Sequence, residues 1–362
     1  MRARLLLRWV LALGVFPFAL AGRTFSVVAY NLENLFDADG VAVYDDYQPE
    51  RYRPAHLRTK LRHTADVLAR LGPNAGPDVI LFQEVEVDQT PASSRHNYTK
   101  LLERYRHTTF EEMLARDPLP PDLADWPAEA WLVKALHDRG MTGYTVAIGT
   151  DQAAAQASGQ TRAIKCVTFS RFPVRAVRQH PLRDARNIVE VELEVEGARF
   201  FVFNNHWKSG AGDPELEQVR LDNARVLRAR LDEILADDPT ADILVGGDFN
   251  GHYNQKQRYP AMARTALNDV LLSQGHELAI RQQVRSLYNL WYELPPSERG
   301  SDTYRGEWGT LQQMMISRGL YDRRGVQYED NSFQVGRIAG LNADLAGAPR
   351  RWDAGGSGAG FS

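Results

Sequence analysis

The stretch Ile243-Leu244-Val245-Gly246-Gly247-Asp248-Phe249-Asn250 constrains this chain more than any other. Three β-formers run into two glycines, and a carboxylate and an amide then follow two residues apart. In an extended segment, residues i and i+2 point the same way, so Asp248 and Asn250 are expected to project together from the end of a buried strand. The glycines let the backbone turn sharply or let a ligand approach closely. A carboxylate beside an amide suits a hydrated metal ion, a phosphate or an activated water. The same residues also suit a plain strand end closed by an Asx turn.

A buried strand needs a core to lie in. The chain has 362 residues, 43% of them hydrophobic and 10% aromatic, enough for one large or two ordinary domains. Residues 24–30 read as a strand. Leu57, Leu61, Ala65, Leu68 and Leu71 recur at helical spacing until Gly72-Pro73 stops them. Val79-Ile80-Leu81-Phe82 is a second apolar strand, and residues 163–170 a third. Between them, residues 87–160 are broken by Pro118, Pro120, Pro121 and Pro127, with a short helix expected at 126–136 and an exposed loop at 151–160. Val189, Val191, Leu193 and Val195 alternate with Glu190, Glu192, Glu194 and Glu196, which predicts a half-solvated antiparallel strand. Gly197 turns it into a partner over 199–203. Pro214 opens a long amphipathic helix with Leu216, Val219, Ala224, Leu227, Leu231 and Leu235 facing inward. Helices and hairpins interleave without repeat, heptad or linker, so one α/β domain with mixed sheets is expected.

Charge and cysteine content exclude several classes. The 43 basic and 46 acidic residues give a net charge of −3, which leaves no broad basic surface for coating nucleic acid or a membrane. The single cysteine, Cys166, rules out an internal disulfide framework and a cysteine-based zinc site. Residues 1–21 carry Arg2 and Arg4 before an apolar run from Trp9 to Leu20 and end in Ala19-Leu20-Ala21, the pattern of a secretory signal peptide. Its removal leaves 40 basic against 46 acidic residues, a charge of −6. A secreted or periplasmic protein without stable membrane insertion is expected, with residues 22–362 as the mature domain.

Polar groups follow the β-runs at once. This happens at Asn31 and Glu33, at Glu84, at His206 and Lys208, and at Asp248 and Asn250. Rigid strands position the segments at their ends, so four such ends carrying carboxylate, amide and imidazole point to one shared site.

The blocks YNLENLFD, PDVILFQEVE, FNNHWKSG and ILVGGDFN, in this order, resemble the endonuclease/exonuclease/phosphatase superfamily. The SDTYRGEW stretch, Ser301 to Trp308, resembles a secreted bacterial branch of that deoxyribonuclease-like group. The resemblance implies a four-layer α/β sandwich, with two packed mixed, largely antiparallel sheets flanked by helices. It implies that Asn31, Glu33 and Glu84 hold a divalent cation, Mg2+ or in its place Mn2+ or Ca2+. Asp248 then takes the proton of an attacking water that Asn250 orients, and His206 contacts the scissile phosphate or the leaving group. Lys208 and Asn205 are the substrate-binding candidates. The implied activity is Mg2+-dependent hydrolysis of phosphodiesters by a monomer, with nucleic acid ranked first as substrate for an exported nuclease. Phospholipid head groups and small phosphate esters stay open. The reading from another class is a non-catalytic relative that binds phosphorylated ligands.

Two departures from the family pattern bear on these expectations. Family members carry an aspartate near the C-terminus where Leu311-Gln312-Gln313-Met314-Met315-Ile316-Ser317 places Gln312. An amide accepts hydrogen bonds but brings no charge to a metal. The family also closes on Ser-Asp-His and an apolar strand, whereas Gly358-Ala359-Gly360-Phe361-Ser362 stops at the serine. The expectation is a record truncated before Asp-His, with catalysis impaired in the 362-residue form.

Overall fold

A computed structural model describes residues 22–72, 75–90, 97–149 and 162–352. The signal segment 1–21, the loop expected at 151–160 and the tail Gly358 to Ser362 lie outside the described residues.

The strands in chain order are β1 (Val27–Leu35), β2 (Val79–Glu86), β3 (Thr145–Ile148), β4 (Ile164–Ser170), β5 (Val174–His180), β6 (Ile188–Val195), β7 (Ala198–His206) and β8 (Asp242–Asp248). They continue with β9 (Ser273–Gln274), β10 (Leu287–Asn289), β11 (Asp302–Tyr304), β12 (Glu307–Gly309) and β13 (Gln312–Ile316). One sheet has the order β1-β2-β4-β3, a second β5-β6-β7-β8-β13-β10-β9, and β11-β12 form a separate hairpin. Three neighbouring pairs run parallel, β1 with β2, β7 with β8 and β9 with β10. The remaining pairs are antiparallel.

The apolar runs explain why these strands lie where they do. Ile80 and Phe82 pack into a cluster with the helix α1 (Pro54–Leu68) and the helix α2 (Ala128–Asp138), while Val79 and Leu81 face the other sheet. On β8, Ile243 and Val245 pack under the helix α3 (Pro214–Asp237), and Leu244 faces back toward Leu81. Strand side chains alternate, so only a strand sandwiched on both sides tolerates such continuous apolar sequence. The result is helix, sheet, sheet, helix: two mixed sheets flanked by helices, the expected fold class.

Several local expectations change. The first strand does not stop at Tyr30 but runs on to Leu35 through a bulge, where Asn31 pairs with Gln83 and Leu35 with Val85. Gly246 and Gly247 make no sharp turn; β8 runs straight through them. A Cβ on Gly246 would lie 2.7 Å from Leu81 Cδ1, and one on Gly247, at φ +123°, would collide with the Asn205 carbonyl. These glycines admit neighbouring protein rather than a ligand. Two of the β6 glutamates are not solvated, although Glu194 stays half-exposed as expected. Glu190 is fully buried and takes Arg178, His180 and Arg230, and Glu192 is bound by Arg199. On α3, Leu216 and Val219 are only half-buried, and the inward face there is taken by Glu217, Arg220 and Leu221. Part of the illegible 87–160 stretch closes the outer face of the first sheet, where Phe110, Met113, Leu123, Trp126 and Trp131 are buried around α2.

Candidate functional site

The C-terminal ends of β1, β2, β7 and β8 converge, and β13 lies antiparallel to β8 with Gln312 opposite Asp248. Asn31, Glu33, Glu84, Asp248, Asn250 and Gln312 line a cleft of about 860 Å³. His206, 2% exposed, is not part of the lining and lies behind Glu84 and Asp248. Its Nε2 is 3.6 Å from Glu84 Oε1 and 3.9 Å from Asp248 Oδ2.

The hydrogen bonds fix these groups individually. Asn31 Nδ2 donates to Glu84 Oε1 at 2.9 Å and to Asp248 Oδ2 at 3.0 Å, tying the two sheets together. The Glu33 amide donates to Asn31 Oδ1 at 2.8 Å, which decides which way the Asn31 amide faces. The other Asp248 oxygen accepts from the Asn250 amide at 2.8 Å, so the Asx turn open in the sequence does form. It coexists with the cleft rather than replacing it. Asn250 Nδ2 donates to the Trp207 carbonyl at 3.1 Å. Glu33, Asn34, Glu84 and Asn250 all have left-handed backbone, with φ of 46°, 64°, 61° and 47°. Such conformations cost energy in non-glycine residues and persist where the surroundings over-determine them.

Burial sets the electrostatics. It raises the Asp248 carboxyl to about 6, helped by the nearby charge of Glu84 and opposed by the Asn250 and Asn31 hydrogen bonds. Burial also raises Glu33, against the Trp352 amide, Lys60 and Arg351. The His206 imidazole is pushed well below its ordinary value by burial and then by Arg186, so it is neutral at pH 7. Lys60 is pulled down to about 7 by burial, with Glu33 and Glu84 acting the other way.

Glu84, His206 and Asp248 each offer a ligand atom within 4.8 Å of the other two. Two carboxylates beside a neutral imidazole suit a hard divalent cation that keeps part of its water shell, and the Asn31 Nδ2 holds both carboxylates in place. Glu33 stands beside this group, its Oε2 taken by the Trp352 amide at 2.6 Å.

Two expected substrate-binding residues are not in the cleft. Asn205 is fully buried, donating to the Phe203 and Gly246 carbonyls and accepting from Trp207 Nε1. Strand alternation sends it away from the cleft and turns its neighbour Asn204 toward the first sheet, where Asn204 Oδ1 accepts from Gln83 Nε2 at 2.7 Å. Lys208 is half-buried and absent from the cleft lining, while its carbonyl accepts from Arg220. Conversely, Ser301, Asp302, Arg351 and Trp352 line the cleft without having been singled out for it. Asp302 accepts from the Leu311 amide and from Ser301 Oγ, and burial raises its carboxyl. The SDTYRGEW block carries that signal in Ser301 and Asp302, while its aromatics, Tyr304 and Trp308, are not part of the lining. Gln312 donates to Gln83 Oε1 at 3.3 Å and brings no charge.

Residues 163–359 match the family model described as the endonuclease/exonuclease/phosphatase family, more than half of the chain. The chain belongs to the endonuclease/exonuclease/phosphatase family. Members of this family are typically phosphoester hydrolases and generally depend on divalent metal. The matched segment contains His206, Asp248 and Asn250, while Asn31 and Glu84 lie before it and reach the same cleft through the fold. No match was found among curated protein sequences. Among solved structures, truncated TDP2 from Caenorhabditis elegans is 14% identical, with TM-score 0.42, over 72% of this chain and 78% of that one. The human Nocturnin catalytic domain with bound sulfate is 18% identical, with TM-score 0.39, over 72% and 75%. A β-hairpin deletion mutant of β toxin from Staphylococcus aureus is 13% identical, with TM-score 0.45, over 87% and 94%. The family assignment rests on the sequence match. Among the described residues, no helix is long and apolar enough to cross a membrane.

Proposed function

We propose that this chain hydrolyses phosphodiesters with the help of a divalent cation. The observation that carries the reading is the meeting of Glu84, His206 and Asp248, from strand ends of two different sheets, within 4.8 Å. By the resemblance Asn31, Glu33 and Glu84 would hold the cation, magnesium. Of these Glu84 belongs to the three-residue cluster, whereas Asn31 gives its oxygen to the Glu33 amide and turns its Nδ2 donor toward Glu84 and Asp248, where it orients the carboxylates. When bound, it would supply positive charge for a transferring phosphoryl group. Asp248 takes the proton of the attacking water. Its carboxyl, at about 6 in the metal-free chain, lies near the working pH, where a general base is effective. Asn250 orients that water, its side chain anchored by the Trp207 carbonyl. His206, neutral and buried, meets a phosphoryl oxygen or the leaving group. Asn205 has no part in this reading, since its side chain faces the other way.

For substrate, nucleic acid ranks first, as expected of a nuclease exported after loss of residues 1–21 and acting as a monomer. A mature charge of −6 suits few phosphate contacts rather than tight nonspecific duplex binding. Gln312, set opposite Asp248, favours the second reading, a relative that binds a phosphorylated ligand without turnover. The test is hydrolysis of bis(4-nitrophenyl) phosphate and nicking of plasmid under Mg2+ titration. Turnover lost with EDTA and with Asp248→Asn supports the hydrolase. Cation binding without turnover in Mg2+, Mn2+ or Ca2+ supports the second reading. Phosphate release from inositol phosphates in place of nicking would move the substrate to small phosphate esters.

A further inference from the structure

Lys60 occupies a place on α1 where the helix faces the core. Leu57, Leu61 and Thr64 around it are fully buried, and so is Lys60 itself. A buried ammonium is costly unless its hydrogen bonds are satisfied. Lys60 Nζ donates to the Glu33 carbonyl at 2.5 Å and to the Asn34 carbonyl at 2.7 Å, with the Trp352 ring 4.9 Å away.

These two carbonyls belong to the consecutive left-handed residues, at φ 46° and 64°. Left-handed backbone is strained for L-residues other than glycine, so two in succession need outside support. The pair also forms the β1 bulge, in which the step from Asn31 to Leu35 spans only Gln83 to Val85 on β2. Within the bulge, the Glu33 amide holds Asn31 Oδ1, and this turns Asn31 Nδ2 toward Glu84 and Asp248. The chain of contacts thus runs from a buried helix side chain, through two carbonyls, to the residues at the cleft floor.

We propose that Lys60 is a positioning residue of this site: by pinning the Glu33 and Asn34 carbonyls, it holds the bulge that aims the Asn31 amide and the Glu33 carboxylate into the cleft. Lys60 is not part of the cleft lining, so it acts through these neighbours and not on substrate. The inference rests on the cleft being a cation-dependent phosphoesterase site.

The full chain is compared with Lys60→Met, Lys60→Arg and the double variant Lys60→Met with Asn34→Gly. Three quantities are read: the Mn2+ dissociation constant, hydrogen exchange of the Glu33 amide without metal, and kcat and KM. Lys60→Met is expected to weaken Mn2+ binding by about ten- to a hundredfold, as loss of support behind a ligand does. It also deprotects the Glu33 amide and lowers kcat more than it raises KM. Lys60→Arg restores most of the loss, because it returns donors to the carbonyls. Asn34→Gly restores part of it, because glycine takes the left-handed backbone without a clamp. Leu57→Ala, on the same helix, lowers the melting temperature and leaves the Mn2+ constant unchanged. A folded Lys60→Met chain with wild-type Mn2+ affinity and a protected Glu33 amide would overturn the proposal. So would a Lys60→Met chain that does not fold and is not recovered by Asn34→Gly. If the wild-type chain neither binds Mn2+ nor turns over, the phosphoesterase reading fails, and exchange at Glu33 still decides whether Lys60 clamps the bulge.

Discussion

Asp242 and Asp248 stand at opposite ends of β8, and by burial they match. Each is 7% exposed and each lines a concavity, of about 550 Å³ at Asp242 and about 860 Å³ at Asp248. Burial raises both carboxyls, Asp242 to about 7 and Asp248 to about 6. They differ in what they face. Asp242 Oδ2 accepts the Val326 amide, and the charges of Asp322 and Asp238 add to the effect of burial. Among the described residues, however, the concavity around it holds no imidazole or side-chain amide, and Arg199 and Arg230 in its wall are bound to Glu192, Glu190 and Glu233. Asp248 faces another carboxylate, an amide that bridges the two, and a neutral imidazole. A buried carboxyl with a raised pKa is therefore not a site in itself; the company of groups able to share a cation or a proton makes it one.

The comparison can be broken in four ways. The largest effect is on turnover: Asp248→Asn should lower kcat by about a hundred- to ten-thousandfold if it removes a general base, while Asp242→Asn leaves kcat unchanged. Equal losses in a steady-state phosphodiester assay would erase the distinction between the two ends. Next is Gly247→Ala, which sets a Cβ against the Asn205 carbonyl in a backbone unsuited to alanine. A destabilisation of roughly 3 kcal/mol is expected by urea unfolding, with loss of Mn2+ affinity beside Asp248 and an unchanged exchange rate for the Val326 amide beside Asp242. Third, Glu84→Gln should weaken Mn2+ binding by about tenfold or more, and calorimetry should find no change for Asp242→Asn.

The smallest effect is on pH. Both aspartates have folded pKa values above the ordinary value of about 3.9. Their contribution to stability is therefore full below that value and is lost as pH rises through about 6 for Asp248 and about 7 for Asp242. The metal-free chain should melt at falling temperature across this window. Asp242→Asn removes its part of the slope, and saturating Mn2+, whose charge beside Asp248 favours the carboxylate, removes that of Asp248, while other buried carboxyls such as Asp302 keep theirs. A slope that Mn2+ leaves untouched in thermal melts would mean that Asp248 does not meet the cation.

The same contrast explains what the sequence could reveal. Val79 to Phe82 and Ile243 to Val245 were legible because continuous apolar strands have one solution, burial on both faces. That Asn31, Glu84, His206 and Asp248 come together could be read from the sequence because each lies shortly after the end of an apolar β-run. Asn204 and Asn205 were not separable, since identical neighbours carry no phase and a one-residue slip exchanges the faces. Glu190 and Glu192 read as solvated because their cations, on β5, β7 and α3, are joined to them only by the fold. Asp302 and Lys60 reach the site through a hairpin and a helix whose approach no local pattern encodes.

The hydrogen bond from Asn31 to Asp248 joins residues 217 positions apart and on different sheets. Contacts of such separation carry a large loop-closure cost, and this one exists only across the interface of the two sheets. The cleft floor thus comes together when the two sheets have docked, and no partly folded chain holding a single sheet contains it. A cation bound there would recognise the native state alone and stabilise it by mass action. Its occupancy would report on the assembly of the whole sandwich.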